Sequence, residues 1–183
     1  NAFLAIAAVG MTLVILSGGI DLSVGSMIGF ASIFTATLIG SHGLAPGWAW
    51  LAAIALGVVF GAFMGALIHV FKLPAFLVTL AGMFFLRGAA FWLNTESVDF
   101  THPLYERLAA FEFAVGGAYL PVTFLVAVAV MLAGYVVGHQ MRFGRTLFAV
   151  GGNEQSALLM GLPVGPARIA VYALNGGCAA LAG

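Results

Sequence analysis

The chain has 183 residues, of which 63% are apolar and 7% are charged, and its six basic and six acidic side chains leave no net charge. Soluble domains carry about 25% charged residues, so this composition excludes a water-soluble globular fold. The charge balance offers no basic patch for nucleic acid, and a single cysteine, Cys178, excludes a disulfide within the chain. The sequence therefore predicts an all-α, polytopic transmembrane bundle.

Six apolar segments are candidates for helices that enter the bilayer, and we expect about six spans in one transmembrane domain over residues 1–183. A span needs about 20 mostly apolar residues. Because the chain lacks an initial Met and both ends lie in apolar stretches, we expect a fragment without an N-terminal span and without C-terminal spans. The segments cover residues 2–16, 24–41, 48–71, 75–93, 121–138 and 167–183.

Two longer loops predict the orientation. The loop at 94–120 carries four acidic residues and one basic residue, whereas the loop at 139–166 carries Arg142 and Arg145. Cytoplasmic loops favour Lys and Arg, so the second loop is predicted inside and the first outside. Counting back also puts Lys72 inside. If the break near Asp21 lies within the membrane as the middle of one discontinuous helix, this count shifts.

Asp21 is the only charge in the first 71 residues. An ionisable residue in a membrane segment suggests a functional site. Its neighbours Ser17, Gly18, Gly19 and Ser23 could unwind a helix and line a pathway, where the carboxylate and hydroxyls would contact a polyhydroxyl solute. The alternative is structural, because Asp21 or Ser23 could cap the following helix.

A second cluster contains Phe84, Phe85 and Arg87. Arg87 lies deep in its segment and needs a partner or water. The Phe rings could line a pathway, or they could face lipid or the core. In the preceding segment, glycines recur every four residues on one helix face, which indicates close helix packing or, alternatively, a gate or subunit interface. These glycines are Gly57, Gly61 and Gly65.

The loop at 139–166 contains a short helix signal. Asn153 is a good N-cap, Glu154 suits the positive end of the helix dipole, and Gly161 and Pro163 end the segment. We predict about two helical turns on the cytoplasmic side, with Ala157, Leu158 and Met160 available for contact. The segment could dock into a partner or lie on the membrane surface.

No phosphate-binding loop, zinc motif or cysteine-rich metal set occurs in the sequence. We therefore expect a transport subunit with no catalytic residue, no metal and no cofactor of its own. Any energy source would come from another chain or from an ion gradient.

Two segments resemble a known family. The run Leu16-Ser17-Gly18-Gly19-Ile20-Asp21-Leu22-Ser23-Val24-Gly25 resembles the signature of ribose-type permease subunits of bacterial ABC sugar importers. Arg142-Phe143-Gly144, followed by Gly151-Gly152-Asn153, Ala157 and Gly161, resembles the cytoplasmic coupling segment of that family. Four further segments give a closer resemblance, which is to permease subunits of galactofuranose importers. These segments are Pro74-Ala75-Phe76, the run at 79–88, His102-Pro103 and Leu159-Met160-Gly161.

The resemblance implies import of a monosaccharide across the bacterial inner membrane. It also implies a second permease subunit, identical or different, a cytoplasmic ATPase that uses ATP, and a periplasmic sugar-binding protein near the loop at 94–120. Three alternatives remain open: a permease of this architecture for branched-chain amino acids, an ion-driven secondary transporter and a membrane-embedded enzyme. The ATPase contacts implied by the resemblance are Gly151, Gly152, Asn153, Glu154, Ala157, Leu158 and Gly161.

Overall fold

A computed structural model describes residues 1–95, 102–115 and 118–183. The described part is helical apart from one antiparallel hairpin, in which β1 (Glu112–Val115) pairs with β2 (Ala118–Pro121). Glu96 and Asp99 of the predicted outer loop lie outside the described residues. The helices are α1 (Ala2–Leu16), α2 (Val24–Gly40), α3 (Pro46–Val70), α4 (Ala75–Leu93), α5 (Pro103–Ala110), α6 (Val122–Tyr135), α7 (Arg142–Gly152), α8 (Glu154–Leu159) and α9 (Val164–Ala182).

Three helices of the described part have the length and composition to cross a membrane: α3, α4, and α6 with the π-helical turn Val136–Gln140 that continues it. Helices α1 and α2 are apolar but shorter. Of the six predicted spans, three therefore reach the length and apolar composition of a membrane span in the described part of the chain. The Gly-Gly-Ile-Asp break shortens α1 and α2, and the polar Arg168 and Asn175 lower the hydropathy of α9.

Helix α9 is the centre of the bundle, and α3 packs antiparallel along it. A Cβ built on Gly61 would lie 2.8 Å from the backbone carbonyl carbon of Tyr172, so the two backbones touch. The four-residue glycine spacing therefore serves helix packing within this chain, as one of the two interpretations predicts. The contacting pairs are Gly57 with Gly176, Gly61 with Tyr172, and Gly65 with Ile169.

The chain reverses direction between α1 and α2. Gly10 of α1 lies against Asn175 and Gly19 lies against Tyr172, so α1 runs antiparallel to α9. Asp21, just before α2, bonds to Asn175 of α9, and Ile28 of α2 meets Gly183 beyond the end of α9, so α2 runs parallel to α9. Segments one and two are therefore separate helices joined by a turn, and the count of loop sides does not shift.

This turn, residues 17–23, lies inside the depth of the bundle. Tyr172 contacts it and is eight residues beyond Val164, the start of α9, which corresponds to about 12 Å along the helix axis. Irregular backbone at such depth is tolerated where protein buries it.

The Lys72 turn and α8 lie at one end of the bundle. Lys72 and His69 are near enough to Glu154 of α8 to act on its carboxyl electrostatically. The basic loops therefore share one end, in agreement with the predicted orientation.

Candidate functional site

The carboxylate of Asp21 is fully engaged within the protein. The residue is 4% exposed. Its Oδ1 accepts hydrogen bonds from the backbone N–H of Ser23 at 2.8 Å and from the Ser23 hydroxyl at 2.6 Å, and its Oδ2 accepts from Asn175 Nδ2 at 2.7 Å. Because both oxygens have protein donors, this geometry favours the structural interpretation of Asp21 over direct contact with a solute.

The prediction that Asp21 or Ser23 caps α2 is wrong, because no described side chain accepts a capping hydrogen bond from the first turn of that helix. Ser23 precedes α2 and makes no side-chain capping bond, and its hydroxyl donates to the carboxylate of Asp21. Asp21 in turn holds the Ser23 N–H at the entry to the helix. The Ser17 hydroxyl donates to the carbonyl of Val14 at 2.7 Å. Neither serine points its hydroxyl into open space.

Glycines shape the same turn. Gly18 has a φ of +75°, a conformation that side chains with a Cβ rarely adopt. Gly19 lies so close to α9 that a Cβ would sit 2.8 Å from the Tyr172 hydroxyl oxygen. That hydroxyl donates to the carbonyl of Ile20 at 3.0 Å. The two glycines therefore serve the fold of the turn.

Asn175 is a residue of the site that sequence reasoning did not select. Its side chain is 0% exposed, and its Oδ1 has no hydrogen-bond partner within the described part of the chain. Gly10 gives it room, since a Cβ there would lie 2.6 Å from that oxygen. An amide in an apolar helix needs a polar partner, and this requirement was the available signal.

The end of α7 rests directly on the turn. A Cβ on Gly151 would lie 3.1 Å from the backbone nitrogen of Gly18 and would overlap the carbonyl oxygen of Leu16. Gly144, at the start of α7, is equally close to the carbonyl of Gly138. The structure thus brings together the two segments that carry the sequence resemblance, which are far apart in the chain.

The predicted short helix exists as α8. Asn153 is its N-cap and accepts from the backbone N–H of Ser156 at 2.8 Å, and Gly161 follows the helix with a φ of +75°. The availability of Ala157 for contact was predicted wrongly. Ala157 is 0% exposed, because it packs against Val150 and Val164.

The C-terminal end of α8 and the turn after it expose three apolar side chains, whereas the first turn of α8 exposes polar ones. Leu158 is 54% exposed, Leu159 is 86% exposed and Met160 is 67% exposed. Gly151 and Gly152 are also exposed, although Gly151 touches the turn.

Glu154 anchors α8 to α9. Its Oε2 accepts from Arg168 Nη2 at 2.7 Å. This hydrogen bond, together with the positive charge of Arg168, holds the pKa of the Glu154 carboxyl below its usual value. Glu154 therefore lies at the N-terminal end of α8, as its expected interaction with the helix dipole requires, and it also forms an ion pair with Arg168 that the local sequence did not reveal.

Arg87 lines a cleft between α2 and α4. The cleft has a volume of about 700 Å³. A Cβ on Gly25 or Gly29 would meet nothing within 4 Å, so these glycines leave its α2 wall open. The lining residues are Gly25, Ser26, Gly29, Phe30, Ser32, Ile33, Ala36, Arg87, Ala90, Phe91, Asn94 and Thr95.

The predicted cluster of Phe84, Phe85 and Arg87 is divided between helix faces. Phe85 stacks on Phe60 with ring centroids 6.0 Å apart and lines a separate apolar cavity of about 500 Å³ between α3 and α4. Phe84 is 60% exposed and lines neither cavity. Residues 85 and 87 are about 200° apart around a helix of 3.6 residues per turn, so they cannot share one face.

Asp21 and Arg87 are likewise not brought into one cavity, since Asp21 is absent from the cleft lining. Within the described residues no group of three or more His, Cys, Asp or Glu side chains could hold a metal ion.

Apolar helical segments of alternating direction, joined to a short helix at one end, define a polytopic helical membrane protein. Residues 2–183 match the family described as "Branched-chain amino acid transport system / permease component", and the chain belongs to that family. The protein is thus a multi-pass helical protein of the inner membrane.

Curated relatives extend this result. The chain is 49% identical to the inner membrane ABC transporter permease protein YjfF of Escherichia coli K12, over 100% of the chain and 56% of that protein. It is 38% identical to the ribose import permease protein RbsC of the same strain, over 98% and 56% of the two chains. It is 34% identical to the fructose import permease protein FruG of Bifidobacterium longum, over 100% and 55%.

The chain therefore spans about half the length of the curated relatives it matches. No solved structure matches it.

Proposed function

We propose that this chain forms part of the translocation pathway of an ABC importer that carries a monosaccharide across the bacterial inner membrane. The observation that carries the proposal is the contact of Gly151 in α7 with Leu16 and Gly18 in the turn. Because this contact joins the predicted coupling segment to the membrane bundle, a displacement of α7 and α8 would be transmitted to the turn.

The transmission would continue into the cleft. Asp21 ties the turn to Asn175 of α9, and α2, which begins directly after the turn, forms one wall of the cleft. A partner that pulls or pushes α8 would thereby tilt α2 against α4 and change the opening of the cleft, as relative movements of packed helices do in other switches.

In this proposal the chain hydrolyses nothing and binds no cofactor. ATP is used by a separate cytoplasmic ATPase, which docks on the exposed apolar side of α8 formed by Leu158, Leu159 and Met160. A second permease subunit completes the pathway. A periplasmic sugar-binding protein approaches the opposite end of the bundle, near the loop at 94–120.

The cargo proposed is galactofuranose or a related pentose or hexose. Support comes from the sequence resemblance at 74–88, from the ribose and fructose importers among the relatives, and from the polar lining of the cleft. The second candidate is a branched-chain amino acid, which the family description favours.

The decisive experiment reconstitutes the full-length permease with its ATPase and binding protein in liposomes. We expect ATP-dependent uptake of labelled galactofuranose, ribose or fructose, and no uptake of labelled leucine. Leucine uptake would establish the second candidate. Sugar uptake that survives inactivation of the ATPase would contradict the importer mechanism and favour an ion-driven transporter.

The docking side of α8 has its own test. Leu159→Asp places a charge on the most exposed apolar residue of this segment and should reduce co-purification of the ATPase. Gln155→Asp, an equally acidic change at an exposed position of the same helix, is the control and should leave co-purification unchanged. Equal recovery of the ATPase with both variants would place the coupling contact elsewhere.

A further inference from the structure

The cleft between α2 and α4 runs from the turn to the opposite end of the bundle. Its α2 wall begins at Gly25, directly after the buried turn, and its far edge includes Asn94 and Thr95, which follow α4. A volume of about 700 Å³ falls within the range of roughly 300–1,000 Å³ that small-molecule sites occupy. The cleft is therefore large enough for a monosaccharide with water around it.

The chemistry of the lining suits a neutral, hydroxyl-rich solute. Arg87 supplies a guanidinium with several N–H donors, and Ser26 and Ser32 supply hydroxyls that both donate and accept. Phe91 adds an aromatic face that is 68% exposed. Sugars present hydroxyl edges and apolar C–H faces, so a mixed lining of this kind can contact both.

The position of Arg87 provides a second, independent reason. Arg87 lies on α4, which has the length and composition of a membrane span. Charged side chains at such positions face a protein interior or a water-filled cavity and mark solute pathways. Two other charges lie in or beside apolar helices of the described part. Asp21 is held by donors of Ser23 and Asn175, and Arg168 of α9 is paired with Glu154, so Arg87 is the charge left for a solute.

We infer that the α2–α4 cleft is the monosaccharide-contact site of the pathway, with Arg87 and Ser32 bonding sugar hydroxyls and with Gly25 and Gly29 keeping the space open. The inference rests on the proposed function and adds the place and the residues of cargo contact. It moves the contact away from the turn at residues 17–23, which directly precedes the α2 wall of the cleft.

The first test fills the cleft. Gly29→Leu puts a branched side chain into space where a Cβ meets nothing within 4 Å, whereas Gly88→Leu puts the same side chain into equally open space outside the cleft. In liposomes with the ATPase and binding protein, Gly29→Leu should reduce uptake of the transported sugar to background and leave stimulation of ATP hydrolysis by the loaded binding protein intact. Gly88→Leu should retain both activities.

The second test does not depend on the bulky variant. In a permease whose cysteines, including Cys178, are replaced by Ala, Gly29→Cys should react with a polar thiol reagent, and ribose, fructose or galactose should slow the reaction. Gly47→Cys, at another position with open space, should react at a rate that the sugars do not change. A cleft cysteine that stays unlabelled, or that the transported sugar does not protect, would overturn the inference.

A third variant addresses the chemistry. Arg87→Gln keeps a donor but loses the charge, so uptake should fall by about tenfold, the effect of one charge-assisted hydrogen bond.

Failure of the inference and failure of the proposed function are distinguishable. If wild-type liposomes take up none of the sugars, the function fails. If they take up a sugar and Gly29→Leu does so equally, or loses ATPase stimulation in parallel, only the assignment of the cleft fails.

Discussion

The turn at Asp21 and the cleft at Arg87 place an ionisable side chain in an apolar bundle in two different ways. Asp21 is 4% exposed and bonds to Ser23 and Asn175, whereas Arg87 is exposed and faces a cavity of about 700 Å³. A buried charge must find partners in the protein, because an unmet one costs several kcal/mol. A charge on a cleft instead remains open to solute and water. Burial therefore separates the structural charge of Asp21 from the charge of Arg87, which we propose contacts the cargo.

The largest expected effect tests this contrast directly. Asp21→Ala should lower the free energy of unfolding in detergent by about 3–5 kcal/mol, because it leaves the donors of Ser23 and Asn175 buried without acceptors. Arg87→Ala should change it by less than about 0.5 kcal/mol, since the side chain is exposed. Similar losses for the two variants would remove the distinction between the turn and the cleft.

Asp21→Asn sharpens the same comparison. Asn at this position still accepts from Ser23, and its amide can donate to the unpartnered Oδ1 of Asn175 after that side chain rotates. We therefore expect a stability between those of wild type and Asp21→Ala. A loss as large as that of the Ala variant would show that the charge, and not the hydrogen bonding, stabilises the turn.

The next effect concerns the contact between α7 and the turn. Gly151→Ala should cost about 1–3 kcal/mol of stability, because its Cβ overlaps the Leu16 carbonyl, and it should also lower sugar uptake per ATP hydrolysed. Gly152→Ala is the matched control, because its Cβ meets nothing within 4 Å. Ala also favours a helix over Gly, so the control should be as stable as wild type or slightly more so. Equal behaviour of both variants would contradict a tight joint between α7 and the turn.

A smaller effect is expected at the start of α8. Asn153→Ala removes the cap on the N–H of Ser156 and should cost about 1 kcal/mol. Hydrogen exchange of the α8 amides should accelerate, while exchange at the turn stays unchanged. Asn153→Asp, which retains a capping oxygen, should restore slow exchange.

The smallest effect is a pH dependence. Arg168 lowers the pKa of Glu154 in the folded state below its unfolded value of about 4.5. The ion pair therefore contributes its full stabilisation of the folded state at pH values above 4.5, and this contribution is lost as the pH falls through the lower, folded-state pKa. The pair is partly exposed, with side chains 20% and 45% accessible for Arg168 and Glu154, so the contribution should stay below about 1 kcal/mol. Comparing acid unfolding curves of wild type and Glu154→Gln should show a difference above this window that vanishes below it.

Several features of the site were predictable because their causes are local. Asn153 caps α8 and Gly161 ends it, as their chemistry predicts, and the Gly-Gly-Ile-Asp run breaks the helix. The exposure of Ala157 was not predictable in the same way. Its burial depends on Val150 and Val164, which flank it only after the chain folds back on itself.

The sequence by itself determined that this protein is a bundle of apolar helices, where the helices are interrupted, and which end carries the basic loops, because hydropathy, capping and loop charge act over a few residues. Only the tertiary structure decided what the exceptional polar residues do. The partner of Asp21 is Asn175, 154 positions away, and the face on which Arg87 lies became a cleft because α2 presents glycines to it. Such contacts join distant segments through space, and no local pattern in the chain encodes which segments will meet.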